Sequence, residues 1–309
     1  MKQLLPPERL PRNRFLRFIV IFISRYFSDD IARTGAELAY FLLFSLFPLL
    51  LLGSCIVGYL DLNLAAFLNR ISPLIPTDIL GMIGSYLTYL STINTSGFLL
   101  TGAFFTLYSM TRVINLLLFS IGQIYRVRRP RHWLRQFLIA AILSVMLLVS
   151  ILLILALIFF GEGTLSWLFS LLHWETWFLR IWDILRFVLL AVWAMLLLTT
   201  LYIVAPNRRI RLRDALPGAV FASIAWVAVS WVFSFYVNTF ANYSLLYGSL
   251  GAIIVLMLWL YLTGVILLLG GLFNHLLEVF KHGDYTNEEK RFIQTDSVSV
   301  RRQKTSDGK

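Results

Sequence analysis

The chain has 309 residues, 59% of them hydrophobic and only 14% charged, with a formal net charge of +11. A soluble domain carries about 45–50% apolar and about 25% charged residues, so this composition excludes an ordinary soluble protein. The apolar excess falls in blocks of about twenty residues, the length that crosses a bilayer core. The single cysteine, Cys55, sits in an apolar run; it excludes a disulfide within the chain and reads as a small core residue rather than a nucleophile.

Taken in chain order, residues 1–33 form a basic N-terminal segment. Within it 15–23 (FLRFIVIFI) is apolar and follows basic residues, as in a secretory leader. Arg17 interrupts it, Arg25 follows it, and no small-x-small cleavage pattern comes after. It reads as an interfacial helix on the cytoplasmic face. The first span is Leu38 to Leu60, with Pro48 inside it. Proline clashes with the carbonyl four residues back, here that of Phe44, so a kink is expected, with Ser45 placed to re-satisfy freed backbone groups.

Residues 62–92 contain Pro73 and Pro76 and then a stripe of Ile79, Met82, Ile83, Tyr86, Leu87 and Leu90 at helical spacing, separated by Gly81, Gly84, Ser85 and Thr88. This predicts an amphipathic segment on the outer face, with a seventh span as the competing reading. Further spans are expected at Gly97–Ile121, Gln136–Phe160, Ile184–Val204, Ala215–Val237 and Leu250–Leu272. The Trp-rich stretch Leu165–Leu179 is too short and polar to cross and suits the interface, where tryptophan is favoured. Residues 34–280 thus form a six-span, all-α membrane domain with short interfacial helices, and 281–309, polar and without apolar periodicity, a disordered tail.

Lysine and arginine placement orients the chain. Of 27 basic residues, 23 fall before residue 34, in 126–135, in 206–214 or after 280. Six spans put all four clusters on one side, so the positive-inside rule predicts that both termini and the 126–135 and 206–214 loops are cytoplasmic. A crossing at 79–92 would put the N-terminal cluster opposite the others. No internal repeat supports an inverted-repeat transporter.

Three stretches carry a resemblance. They are Leu38-Ala39-Tyr40 with Ser45-Leu46-Phe47-Pro48; the run from Pro206 to Ala219 (PNRRIRLRDALPGA); and Tyr243 to Ala252 (YSLLYGSLGA), running into Leu258-Trp259-Leu260-Tyr261. Together they closely resemble the YihY/BrkB family of bacterial inner-membrane proteins, once labelled ribonuclease BN, over about residues 34–280. The resemblance implies a six-span protein of the bacterial inner membrane whose molecular activity is not established. The last helix in that family typically carries Gly-Ala-Glu-Leu-Asn, whereas this chain has Gly270-Gly271-Leu272-Phe273-Asn274. Leu272 stands where the carboxylate would be, which argues against proton or cation coupling through that position here.

The same stretches have physical readings. Asp214 is placed to cap the fifth span's helix, with Pro217 in its first turn. Arg208, Arg209, Arg211 and Arg213 set topology and can meet anionic lipid headgroups. Gly248 and Gly251 suit close helix approach, and Tyr243 and Tyr247 suit interface anchors. Asp183 and Arg186, three apart, can pair on one helix face, and Glu37 opens the first span.

Arg112 lies deep in the second span. A central arginine costs about 2.5–3.5 kcal/mol on insertion scales, so it needs a partner or water. Asn115 shares its side of the helix. Arg112 and Asn115 are therefore the candidate binding residues, lining a polar cleft that contacts an anionic group, with a packed structural pair as the equal competitor. The four histidines, His132, His173, His275 and His282, are scattered, there is no cysteine pair and no Gly-x4-Gly-Lys loop. No catalytic residue, metal ligand or cofactor is expected, and the basic clusters beside spans suit lipid rather than nucleic acid. The expectation is transport or handling of an anionic lipid or small solute, and the alternative a non-transporting scaffold of the cell envelope. Substrate and oligomeric state are not legible.

Overall fold

The computed structural model describes residues 13–59, 80–81, 84–85, 96–126, 132–160, 177–239 and 249–282. Expectations for the first twelve residues, for 161–176, for most of 79–92, for Tyr243, Tyr247 and Gly248 and for the tail beyond 282 lie outside the described residues, as do the side chains of Cys55, Asp183 and Arg186. Leu80–Gly81 and Gly84–Ser85 are helical, with Ser85 Oγ donating to the Gly81 carbonyl at 2.9 Å.

Among the described residues the fold is all-α, with seven helices: α1 (Arg14–Ser28), α2 (Ile31–Tyr59), α3 (Ser96–Ile124), α4 (Trp133–Phe160), α5 (Trp177–Val204), α6 (Leu212–Thr239) and α7 (Ser249–His282). Five contain segments long and apolar enough to cross a membrane: Ile31–Leu52, Leu100–Ile124, Trp133–Leu153, Leu212–Val237 and Ile253–Lys281. In α5 the described apolar stretch is the shorter Val188–Val204. The helices pack in chain order, α2 on α3, α3 on α4, and so on to α6 on α7; α7 then returns to α2 and also touches α3 and α1. The buried core follows α7, where Leu268, Leu272 and Leu276 meet Ile121 of α3, Tyr202 of α5 and Ala219 and Ala222 of α6 within one apolar cluster.

Small residues set how closely α7 approaches its neighbours. A Cβ on Gly35 would lie 2.6 Å from Val265 Cγ2, and one on Gly264 would lie 3.1 Å from Leu38 Cβ, so α2 and α7 meet backbone to backbone. Hydroxyls inside the bundle bond back along their own helices. Thr106 donates to the Gly102 carbonyl (2.6 Å) and Ser144 to that of Ala140 (2.7 Å). This hides a polar atom in an apolar core without a partner helix.

The helices overrun the expected spans, for local reasons. α2 begins at Ile31 rather than Leu38, because Arg33 and Glu37 pair at i, i+4 on its exposed side (3.3 Å) and need no loop. Residues 177–179 belong to α5 rather than to an interfacial stretch. α7 continues to His282, so Lys281 ends a helix rather than opening a disordered tail. Ser45 Oγ donates to the Leu42 carbonyl at 2.7 Å, not to the Phe44 carbonyl that Pro48 frees.

The N-terminal helix is capped by Asn13, whose side chain accepts from the Phe15 N–H at 3.2 Å. Its inner side packs against the bundle through rings. Phe18 lies edge-on to Phe273 (5.6 Å between centroids) and Phe280 (5.5 Å), and Phe22 edge-on to Phe221 (6.0 Å), while Phe221 and Phe273 stack at 4.6 Å. Its other side leaves Phe15, Leu16, Ile23 and Phe27 exposed.

Candidate functional site

Two regions hold polar groups that an apolar bundle must account for. The first is one end of the bundle, where α1, the C-termini of α3, α5 and α7 and the N-terminus of α6 come together. The described arginines of the N-terminal, 126–135 and 206–214 clusters gather around this basic end. Arg25 of α1 is 4% exposed. Its Nη2 donates to the Ile124 carbonyl at 2.8 Å, filling an acceptor left open at the end of α3, and its Nε lies 2.9 Å from Asp29. Arg14 Nη2 donates to the Phe280 carbonyl at 2.7 Å and so ties the start of α1 to α7.

Asp29 is held above the ordinary carboxylate range by burial, against the opposing pull of Arg25, Arg126 and His275. Burial also pushes the Tyr125 phenol up, so it stays protonated. The guanidinium of Arg208 lies over the Tyr125 ring, 4.9 Å from its centroid, and forms an ion pair with Glu278 of α7. Three chain reversals at this end place non-glycine residues in the left-handed region: Asp30 (φ 50), Arg126 (φ 52) and Asn207 (φ 49). Asp and Asn tolerate it best.

The N-terminal part of α6 differs from expectation. The helix starts at Leu212, so Asp214 lies within its first turn rather than at its cap, and its Oδ1 accepts from Lys281 Nζ at 3.1 Å. Pro217 consequently falls in the second turn, where its missing N–H leaves the ladder incomplete. Asn274, 1% exposed, enters from α7 at that level. Its Oδ1 accepts from the Gly218 N–H (2.6 Å) and its Nδ2 donates to the Ala215 carbonyl (2.8 Å). A Cβ on Gly218 would collide with the Gly270 carbonyl and Asn274, and one on Gly270 with the Tyr202 hydroxyl. That hydroxyl donates to the Leu267 carbonyl at 2.9 Å. The motif residues 214–219 and 270–274 therefore close on one another in a buried, reciprocally bonded contact between α5, α6 and α7. Leu272 is 0% exposed and part of the apolar core, so no carboxylate stands at that position.

The second region is the outer side of α3. Helical spacing puts Thr101, Phe105, Tyr108, Arg112, Asn115, Leu116, Phe119 and Gln123 along one side. Arg112 is exposed, Asn115 half-buried, and Phe105, Tyr108 and Phe119 exposed. Arg112 therefore stands on the outside of the bundle and not in an interior cleft, because the opposite side of α3, with Gly102, Thr106, Met110, Val113 and Leu117, is the one that packs inward. Within the apolar segment Leu100–Ile124 it lies at the midpoint. The group it meets is the Tyr108 hydroxyl one turn back, at 3.2 Å from Nε and 2.9 Å from Nη2, with the guanidinium 5.3 Å from that ring's centroid.

The stripe runs into a cavity of about 380 Å³ at the basic end. Its walls are the α1–α2 turn and the first turns of α2 (Ser28 to Glu37) and the last turns of α3 (Leu116 to Ile124), with Leu268 behind. Sequence reasoning singled out Arg112 but missed this cavity. The signal was the polar set Asp29, Asp30, Arg33, Thr34 and Glu37, which was divided between the N-terminal segment and the start of the first span.

The remaining candidates are accounted for separately. Arg208, Arg209, Arg211 and Arg213 are all exposed, but Arg208 is engaged by Glu278 and the Tyr125 ring. Among the described residues no three His, Cys, Asp or Glu side chains come together as metal ligands would.

The family model described as virulence factor BrkB matches residues 22–292. The ribonuclease-like protein YfkH of Bacillus subtilis is 36% identical over 263 residues, 85% of this chain and 95% of that protein. A UPF0761 membrane protein of Azotobacter vinelandii is 29% identical over 274 residues, 84% of this chain and 63% of its own length. One from Pseudoalteromonas atlantica is 36% identical over 96 residues, 31% of each chain. No solved structure matches. With five helices able to cross a membrane and a match over nearly all of them, the chain belongs to the BrkB (YihY/BrkB) family of multi-pass membrane proteins.

Proposed function

We propose that this protein holds an amphiphile by its anionic headgroup, a phosphate or carboxylate, and passes it along the outer side of α3 while the tails stay in lipid. One observation carries the reading: Arg112 sits at the middle of a membrane-crossing helix and on its exposed side. A neutral tyrosine hydroxyl orients a guanidinium but does not neutralise it, and a lone central arginine in hydrocarbon is expensive. An anion removes that cost, and the planar donor fork of arginine fits phosphate or carboxylate as lysine does not. Asn115 and Gln123 extend the polar track from Arg112 towards the basic end.

The topology that goes with this has six spans, with α5 as the sixth, and both termini in the cytoplasm of a bacterial inner membrane. The 28 residues of α5 support it, since at about 1.5 Å per residue they reach about 42 Å. In this arrangement α1 lies in the cytoplasmic leaflet, its exposed Leu16, Ile23 and Phe27 dipping among acyl chains. After replacement of Cys55, a cysteine at Arg129 or Arg211 should resist an impermeant external thiol reagent; labelling from outside refutes the arrangement. The scattered histidines likewise support a protein without divalent-metal nuclease activity. RNA cleavage by pure protein that stops on chelation would overturn this.

The deciding experiment reconstitutes the full chain in vesicles with a fluorescent anionic phospholipid and follows its transfer between leaflets. Arg112→Leu should slow transfer at least about tenfold, the effect of losing roughly 1.4 kcal/mol of headgroup interaction, with insertion intact because leucine is cheaper in lipid. Arg112→Lys should fall between. Equal rates for wild type and Arg112→Leu sink the proposal. Wild type that moves no lipid but forms an oligomer split by Arg112→Leu points instead to a scaffold.

A further inference from the structure

The cavity at the end of the α3 stripe differs in chemistry from everything around it. The basic end carries Arg126, Arg208, Arg209, Arg211 and Arg213, yet the cavity wall brings three carboxylates, Asp29, Asp30 and Glu37, against two guanidiniums: Arg33, which pairs with Glu37, and Arg25, which pairs with Asp29 from behind the wall. Its hydroxyls face it as acceptors. Ser28 Oγ donates to the Ser24 carbonyl (3.0 Å), Thr34 Oγ1 to that of Asp30 (3.2 Å) and Ser120 Oγ to that of Leu116 (2.7 Å). With their protons committed to backbone, the three oxygens have only lone pairs to offer. The wall also has an apolar part, Leu116 and Phe119, on the side of the α3 stripe. A volume of about 380 Å³ lies in the range of small-ligand sites.

We infer that this cavity takes the primary ammonium group of a zwitterionic phospholipid headgroup whose phosphate meets Arg112. The inference rests on the proposed role of Arg112 and names the class of amphiphile. An ammonium brings three donors and one positive charge to a wall of acceptors with an excess of carboxylates; a trimethylammonium brings the charge without donors, and a glycerol headgroup the donors without charge. Arg112 lies one helical turn, about 6 Å, beyond Leu116 on the same side of α3, and its exposed side chain meets the phosphate by swinging from the Tyr108 hydroxyl towards Leu116. The order along the stripe is ammonium at the basic end, then phosphate, as in a headgroup entering from that leaflet.

Native mass spectrometry of the full chain in detergent tests it, with phosphatidylethanolamine, phosphatidylcholine and phosphatidylglycerol of matched acyl chains as probes. Asp30→Asn with Glu37→Gln is the chosen variant. Asparagine tolerates the φ of 50 at residue 30, and Glu37 loses only an exposed pair with Arg33. Wild type should retain phosphatidylethanolamine about tenfold better than phosphatidylcholine, the worth of one or two charge-assisted hydrogen bonds, and the variant should lose that preference while retaining phosphatidylglycerol as before. Displacement of phosphatidylethanolamine, but not phosphatidylglycerol, by free ethanolamine supports the ammonium site and makes the free amine a second source of the same group. Equal retention of phosphatidylethanolamine and phosphatidylcholine by wild type, or an undiminished preference in the variant, overturns the inference. Should Arg112→Leu leave phosphatidylglycerol retention unchanged while the acid variant still loses its preference, the phosphate role of Arg112 fails and the ammonium site stands.

Discussion

The basic end and the outer side of α3 both set an arginine among apolar side chains, and they treat it in opposite ways. Arg25 is enclosed and has a carbonyl and a carboxylate as partners on different elements. Arg112 is exposed and has one neutral partner on its own helix. A buried charge with a long-range bond to a second helix and a local carboxylate holds elements together, and removing it takes a partner from both. An exposed charge at mid-span holds nothing together within the chain, and its cost is met only by something from outside. The contrast separates the part of this protein that maintains the fold from the part that can meet a ligand.

Substitutions should rank accordingly. The largest effect is expected for Arg25→Ala, which strands Asp29 and the Ile124 carbonyl together; breaking one partner of a buried pair costs about 3–5 kcal/mol, read as a lowered midpoint of thermal unfolding in detergent. Asn274→Leu comes next. It removes the bonds to the Gly218 N–H and the Ala215 carbonyl, at about 0.5–1.5 kcal/mol each, and branched bulk is forced against Gly218. An Asn274→Leu variant as stable as wild type would show that α6 closes on α7 by apolar packing alone.

A pH effect of intermediate size follows from Asp29. Its carboxyl is raised by burial above the ordinary value of 3.8, so its contribution to stability is full below that value and is lost as pH rises through the folded-state value. Comparing wild type with Asp29→Asn from pH 4 to 7 isolates this slope. The difference between them should shift in favour of the variant as pH rises, on top of a constant cost for the lost Arg25 pair. A difference that does not change with pH would mean that Arg25 offsets the burial completely.

Arg112→Leu should have the smallest effect on stability, within about 0.5 kcal/mol, as for other exposed positions outside structural networks. Loss of several kcal/mol there would erase the distinction between the two regions and return Arg112 to a structural role.

How much of this was legible follows from the kind of signal each feature leaves. The helices around Leu38–Leu60 or Gln136–Phe160 announce themselves, because a continuous apolar run of that length has few alternatives in lipid. Their ends do not. Arg33 and Glu37 look like a loop until their i, i+4 pairing on a helix is considered, and Asp214 looks like a cap until Lys281 supplies a different partner. The cost of Arg112 was readable from its depth. The side it faces was readable too, from large aromatics at 105, 108 and 119 against small or β-branched residues at 102, 106 and 113. The role of Asn274 was not readable. Its value depends on backbone groups of another helix, the Gly218 N–H and the Ala215 carbonyl, and no local pattern in α7 reports that. The cavity was missed for the same reason, since its two walls are far apart in sequence.

The docking of α1 also sets an order of events in biosynthesis. Arg25 finds its carbonyl 99 residues later in the chain and Arg14 finds its own 266 residues later. At about 5–20 residues per second, Arg14 waits roughly 13–53 s after its own synthesis before Phe280 exists to receive it. During that interval the aromatic side of α1 faces lipid or a chaperone rather than Phe273 and Phe280. Although made before the other six described helices, α1 is thus among the last to reach its final place, and a ribosome that stalls before α7 leaves it undocked, a visible mark of an unfinished product for the membrane's quality-control proteases.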